Sequence, residues 1–227
     1  IDFFGEGLSE QLFDTPSAVA RIWRSAKGRR SMVLSAEESS DPNGRPLTFH
    51  WRLLQGDPDR VRIEPEADGR RARITIDWHD PFPISDEDPQ LTSRVDIGVF
   101  ASNGAHDSAP AILSWYFPPH ETRHYEEGPD GVPRILSIDH ADPEKADVYA
   151  DPLLLPRADW RDVYDHDAEG QLTGWRRFRD GSESGNFTAD GRRIETGREA
   201  ADEARPVTHA LVPGPRNTLR IEERPAP

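Results

Sequence analysis

Residues 72 to 78 read Ala72-Arg73-Ile74-Thr75-Ile76-Asp77-Trp78. Apolar side chains alternate with polar ones, which is the period of a strand that buries one face and wets the other. A helix would place Ile74 and Ile76 on different faces, so the alternation selects a strand. Turn formers bound the run at Asp68-Gly69, and the same punctuation recurs at Asp41-Pro42-Asn43-Gly44, Gly56-Asp57-Pro58, residues 86 to 89 and Asn103-Gly104. Between these turns lie short β-like runs at residues 32 to 34, 47 to 54, 61 to 63, 95 to 101 and 111 to 117. Residues 31 to 118 are therefore predicted to form an antiparallel β-sandwich.

Composition agrees with an all-β class. The chain has 227 residues, of which 21 are Pro and 17 Gly, a frequency of breakers that argues against a helical bundle. Its net charge of −14 opposes binding to nucleic-acid phosphates or anionic lipid, and no apolar stretch is long enough to span a bilayer. Nucleic acid and membrane are therefore not expected partners. There is no cysteine, which excludes disulfides and thiolate chemistry. All but Lys27 and Lys145 of the 28 basic residues are arginine, as a GC-rich coding bias produces. The chain begins at Ile1 with no signal-peptide pattern, as a processed product or part of something longer would.

The flanks read differently. Within residues 1 to 30, Thr15 suits a cap and Pro16 a first helical position, and Val19, Ile22, Trp23 and Ala26 fall at helical spacing before Gly28. This predicts an N-terminal helix preceded by an apolar leader with Phe3, Phe4 and Leu8. Its face, Leu12, Phe13, Val19, Ile22 and Trp23, would dock on a preceding catalytic domain or subunit. Residues 119 to 196 hold β-like runs at 132 to 138, 161 to 164, 172 to 178 and 192 to 195, predicting a C-terminal β-hairpin ribbon. Residues 197 to 227 are polar and proline-rich and predict an extended tail.

Two resemblances follow from particular residues. The segment Ser39-Ser40-Asp41-Pro42-Asn43-Gly44-Arg45-Pro46-Leu47-Thr48-Phe49-His50-Trp51 resembles the signature turn and strand of PKD-like immunoglobulin-fold domains. Val95-Asp96-Ile97-Gly98-Val99-Phe100-Ala101-Ser102-Asn103-Gly104 is similar to the strand and turn before their last strand. The arrangement resembles the PKD-like module that follows the catalytic domain of secreted bacterial sugar- and nucleoside-hydrolase-like proteins, including a family labelled cellulose-binding. Asn43 and Arg45 stand where acidic residues are common in that family, which weighs against a calcium role for this turn. In the ribbon, Tyr164-Asp165-His166-Asp167-Ala168-Glu169-Gly170-Gln171-Leu172-Thr173 followed by Asp180-Gly181 is similar to the YD repeat of RHS-type proteins, which forms successive hairpins.

Three groups of residues could carry chemistry. His120-Glu121-Thr122-Arg123-His124 is a formal H-E-x-x-H, the pattern of a helical zinc site with glutamate as base. The prolines at 118 and 119 and Gly128-Pro129 leave too little room for that helix; in a strand the histidines stand about 13 Å apart and cannot share one zinc. Asp165, Asp167 and Glu169 alternate before Gly170 as in the first half of a calcium loop, making calcium the expected ion if this turn holds one. Trp115, Tyr116, Trp160 and Trp175 are the aromatic candidates for stacking on sugar rings. No serine-hydrolase elbow, phosphate loop or dinucleotide glycine pattern is present.

The expected function is a non-catalytic accessory or binding module, extracellular or periplasmic, of a bacterial protein acting on polysaccharide or glycoside. The alternatives are a structural module docking on a catalytic partner, and a zinc hydrolase using His120, Glu121 and His124.

Overall fold

The computed structural model describes residues 10 to 85, 87 to 152, 154 to 194, 204 to 214 and 219 to 226. Phe3, Phe4, Leu8, Asp86 and Glu195 lie outside the described residues. The chain is all-β: among the described residues the only helical element is a single 3-10 turn, Pro143–Lys145, and no helix is long and apolar enough to cross a membrane. It divides into two compact units, one of Glu10–Trp23 with Arg29–Phe117, the other containing Arg24–Gly28 and Pro118–Pro227.

The first unit has two principal sheets. One is five-stranded, in the order β1 (Gln11–Thr15), β2 (Ala18–Ile22), β10 (Ala111–Tyr116), β9 (Arg94–Ser102), β4 (Thr48–Gln55). The other is three-stranded, in the order β3 (Arg29–Ser35), β6 (Arg71–Asp77), β5 (Val61–Pro65). Neighbours are antiparallel except β2 and β10, which run parallel. A short ribbon of β7 (Phe82–Pro83) and β8 (Leu91–Thr92) stands apart. The alternation at residues 72 to 78 appears directly in the burial: Ala72, Ile74 and Ile76 are at most 1% exposed, while Arg71 and Arg73 are exposed. Trp51 adds a hydrogen bond from its indole N–H to the Gly69 carbonyl, 2.9 Å away in the β5–β6 turn.

The predicted N-terminal helix is absent. Residues 11 to 22 form the β1–β2 hairpin, with Pro16 at the second position of a Thr15-to-Ala18 turn, where its fixed φ is as welcome as at the start of a helix. The Thr15 hydroxyl accepts from the Ala18 amide at 3.0 Å. Ile22 and Trp23 are not a docking face either: they are 2% and 0% exposed inside their own unit. Trp23 stacks on Phe117 at 5.1 Å and meets Trp115 and Trp78 edge-on at 5.3 and 6.1 Å. Of the expected docking residues, Leu12 and Val19 are half-buried and Phe13 is 42% exposed.

The second unit is one eight-stranded antiparallel sheet in chain order: β11 (Thr122–Glu127), β12 (Pro133–Asp139), β13 (Arg161–His166), β14 (Leu172–Arg179), β15 (Ser182–Thr188), β16 (Arg192–Ile194), β17 (Arg205–Pro213) and β18 (Leu219–Pro225). Asp180 and Gly181, with φ of 47° and 76°, make the two-residue turn between β14 and β15. Where composition predicts a polar tail, β17 and β18 pair over seven residue positions. That hairpin buries Ile221 with Trp160 and Ala158.

Candidate functional site

One face of the eight-stranded sheet carries charge where a core is expected. Strand alternation puts Asp162 and Tyr164 of β13, Trp175 and Arg177 of β14 and Phe187 of β15 on that face, and the register sets Asp162 opposite Arg177 and Trp175 opposite Phe187. Asp162 and Arg177, 3% and 5% exposed, form a two-pronged ion pair with both N–H···O distances 2.8 Å. The remaining guanidinium nitrogen donates to Glu223 Oε2 of β18 at 2.5 Å, and Arg193 of β16 donates to the other oxygen at 2.7 Å. The Arg177 guanidinium lies between two rings, 4.0 Å from the Trp160 centroid and 4.9 Å from that of Phe187. His209, opposite Glu223, completes the group, its Nε2 lying 3.4 Å from Arg177.

A second buried cluster forms where the chain enters β11. Glu121 Oε2 accepts from Arg123 Nε and Nη2 at 2.9 and 2.7 Å, and its Oε1 from His140 Nδ1 at 3.0 Å. Arg123 also donates to the Ser25 carbonyl at 2.6 Å. Burial works against the charge on both partners of this pair. For Glu121 it is outweighed by Arg123 and then His140, which hold the carboxyl well below the usual carboxylate range. For Arg123 it is outweighed by Glu121, which holds the guanidinium above its ordinary value. In the first cluster, burial pushes the Tyr164 phenol well up, with Asp162 adding to the effect.

A cavity of about 60 Å³ lies among these groups, with His120, Glu121, His140, Trp160, Asp162 and Arg177 in its wall. His120 is 1% exposed and faces the Pro156 backbone; among the described residues neither of its ring nitrogens, nor the Trp160 indole nitrogen, makes a well-formed hydrogen bond. Burial pushes the His120 imidazole down to about 4, so it is neutral at pH 7. Unfolded, it takes up a proton near its ordinary 6.5; folded, only near 4. Stability present above pH 6.5 is therefore lost as pH falls toward 4, by up to about 3 kcal/mol from this group. His120→Gln is expected to flatten the dependence of the thermal midpoint across that window. Equal slopes in the two proteins would remove His120 as its source.

The structure separates most of the residues nominated from sequence. His120 sits in a turn and is buried, whereas His124 lies on extended β11 and is exposed, so the H-E-x-x-H histidines do not converge. Trp115, Trp160 and Trp175 are 4%, 3% and 4% exposed and offer no free ring face to a sugar; adjacent to Trp115, Tyr116 is half-buried with the Arg94 guanidinium over its ring. Asp165 is paired with Arg176, and Asp167 accepts from the Gln171 amide at 2.7 Å, so two of the three calcium candidates serve the β13–β14 hairpin. Among the described residues no three His, Asp or Glu side chains are arranged to hold a metal ion.

Sequence reasoning passed over Asp162, Arg177, His209 and Glu223. The signal was there in Trp160-x-Asp162-x-Tyr164 and Trp175-x-Arg177, where period-two alternation sets the charges on the aromatic face. Chemically the two clusters are closed: each carboxylate in them is engaged by a guanidinium. Against known families and curated proteins, the chain matches no family model and no curated sequence.

Proposed function

We propose that this chain is a non-catalytic accessory module of a secreted bacterial protein acting on polysaccharide or glycoside, with its first unit a PKD-like immunoglobulin-type sandwich and its second a run of YD-like hairpins. The observation that carries this reading joins the two segments from which the resemblance came. Asn103, from the second, donates its side-chain N–H to Asp41 Oδ2, in the turn of the first, at 2.8 Å. The other oxygen of Asp41 accepts from the amides of Asn43 and Arg45 at 2.8 and 3.3 Å. The Asp41 carboxyl, lowered chiefly by the Asn103 hydrogen bond, thus works as a structural clamp between loops.

The role is assembly or spacing, in the extracellular or periplasmic space. Burial of Trp115, Trp160 and Trp175 favours this over sugar contact, because stacking needs an open ring face. Isothermal titration of the whole chain against soluble glucans, xylans, mannans and chitin oligomers is expected to give no saturable heat. Saturable binding accompanied by a change in tryptophan fluorescence would replace the assembly role with direct substrate contact.

A further inference from the structure

β3 borders its three-stranded sheet, and among the described residues no strand pairs with its outer edge. A free edge offers backbone donors and acceptors to any other strand, and folded proteins blunt such edges with bulges, charge or proline. The other borders of the two principal sheets are blunted. β1 has a register break between Gln11 and Phe13 and carries Asp14; β4 has one between Leu53 and Gln55 and carries Arg52; β5 carries Arg62 and Glu64 and ends in Pro65. β3 has no such device over Ser31-Met32-Val33-Leu34-Ser35, and its seven residues pair with β6 without a break.

Beside this edge an open trough of about 840 Å³ runs between the two sheets. Half-buried Val19, Met32, Leu34 and Val99 wall it over buried Ile97 and Leu113. Immunoglobulin-type sandwiches add a further strand to the comparable sheet. Among the described residues, none pairs with this row of backbone groups or fills the trough beside it.

We infer that β3 is the docking edge for an extended peptide segment of a partner protein, which adds a strand to this sheet and fills the trough with its alternate apolar side chains. The segment carries Lys or Arg at the end that meets Glu37 and Glu38. Both are exposed, and among the described residues neither has an ion-pair partner. A second copy of this chain supplies no such cation from its own β3, because Arg29 and Arg30 are already paired with Asp77 and Glu10. The inference rests on the assembly role proposed above and gives that role a surface.

The test titrates the whole chain into fluorescein-labelled Arg-Thr-Val-Thr-Leu-Thr-Val, its reverse sequence, and a copy with proline in place of Leu. Anisotropy is expected to show saturable binding of one of the first two and none of the third. Met32→Lys, which sets a charge on the trough wall, is expected to weaken binding at least tenfold, and Glu38→Lys several-fold. Leu91→Lys, on β8 outside the trough and 60% exposed, leaves binding unchanged. Three results overturn the inference: no binding of either peptide, undiminished binding to a folded Met32→Lys protein, or sedimentation of the chain as a dimer that Met32→Lys dissociates. The proline peptide and the surface variants keep the test decisive should Met32→Lys not fold. No catalytic partner takes part, so a failed titration removes this edge without touching the glycan result on which the assembly role depends.

Discussion

Asp162→Ala is expected to destabilise the eight-stranded unit by about 3–5 kcal/mol in urea unfolding, as removing one partner of a buried ion pair does. The loss comes less from the pair's attraction than from what is left behind. Arg177, 5% exposed and enclosed by Trp160 and Phe187, would keep a full charge with only Glu223 to balance it, while Glu223 is already shared with Arg193. Replacing both members, Asp162→Leu with Arg177→Met, is expected to restore most of the loss, since well-packed apolar pairs often equal buried ionic ones. A single-variant cost below about 1 kcal/mol would mean that water reaches the pair.

Trp23→Ala is expected to cost the first unit a comparable amount, about 3–5 kcal/mol. Trp23 is 0% exposed, and its ring touches Trp78, Trp115 and Phe117. Truncation would leave a cavity bounded by three rings whose positions are fixed by strand pairing and the adjoining chain, so collapse around it is limited. Trp23→Phe should recover a large part of the loss. Thermal unfolding followed by near-ultraviolet circular dichroism reads both effects, and an unchanged midpoint for Trp23→Ala would contradict the packing described.

The strands were legible wherever alternation and turn chemistry agreed. Residues 72 to 78 show this best, because no helical spacing competes with the pattern of Ala72, Ile74 and Ile76. At residues 18 to 26 the two periods did compete. Val19, Ile22 and Trp23 satisfy helical spacing, Ala20 and Ile22 satisfy strand spacing, and Pro16 suits both a helix start and a turn. Pairing with β10, which sets Leu113 beside Val19, decided the outcome, and a partner so distant in sequence leaves no local trace.

The closing hairpin was hidden for a related reason. Composition counts Glu223 and His209 as solvent-facing, yet in the sheet both meet Arg177, and Ile221 is buried with Trp160. The same charges hide the tryptophans: Trp160 and Trp175 stand among arginines in a polar stretch, yet the Arg177 guanidinium is itself buried against the Trp160 ring. A carboxylate opposite an arginine turns a polar pattern into a core, and only the register between strands reveals it.

The claim that this chain acts by recognition at the β3 edge, with its charged interior serving only the fold, is tested most directly by backbone hydrogen exchange along the whole chain with and without the Arg-Thr-Val-Thr-Leu-Thr-Val peptides. The account predicts added protection confined to residues 29 to 35 and the wall of the adjoining trough, with β13, β14 and β17 unchanged. Protection gained around His120 and Trp160, or none anywhere, would contradict it.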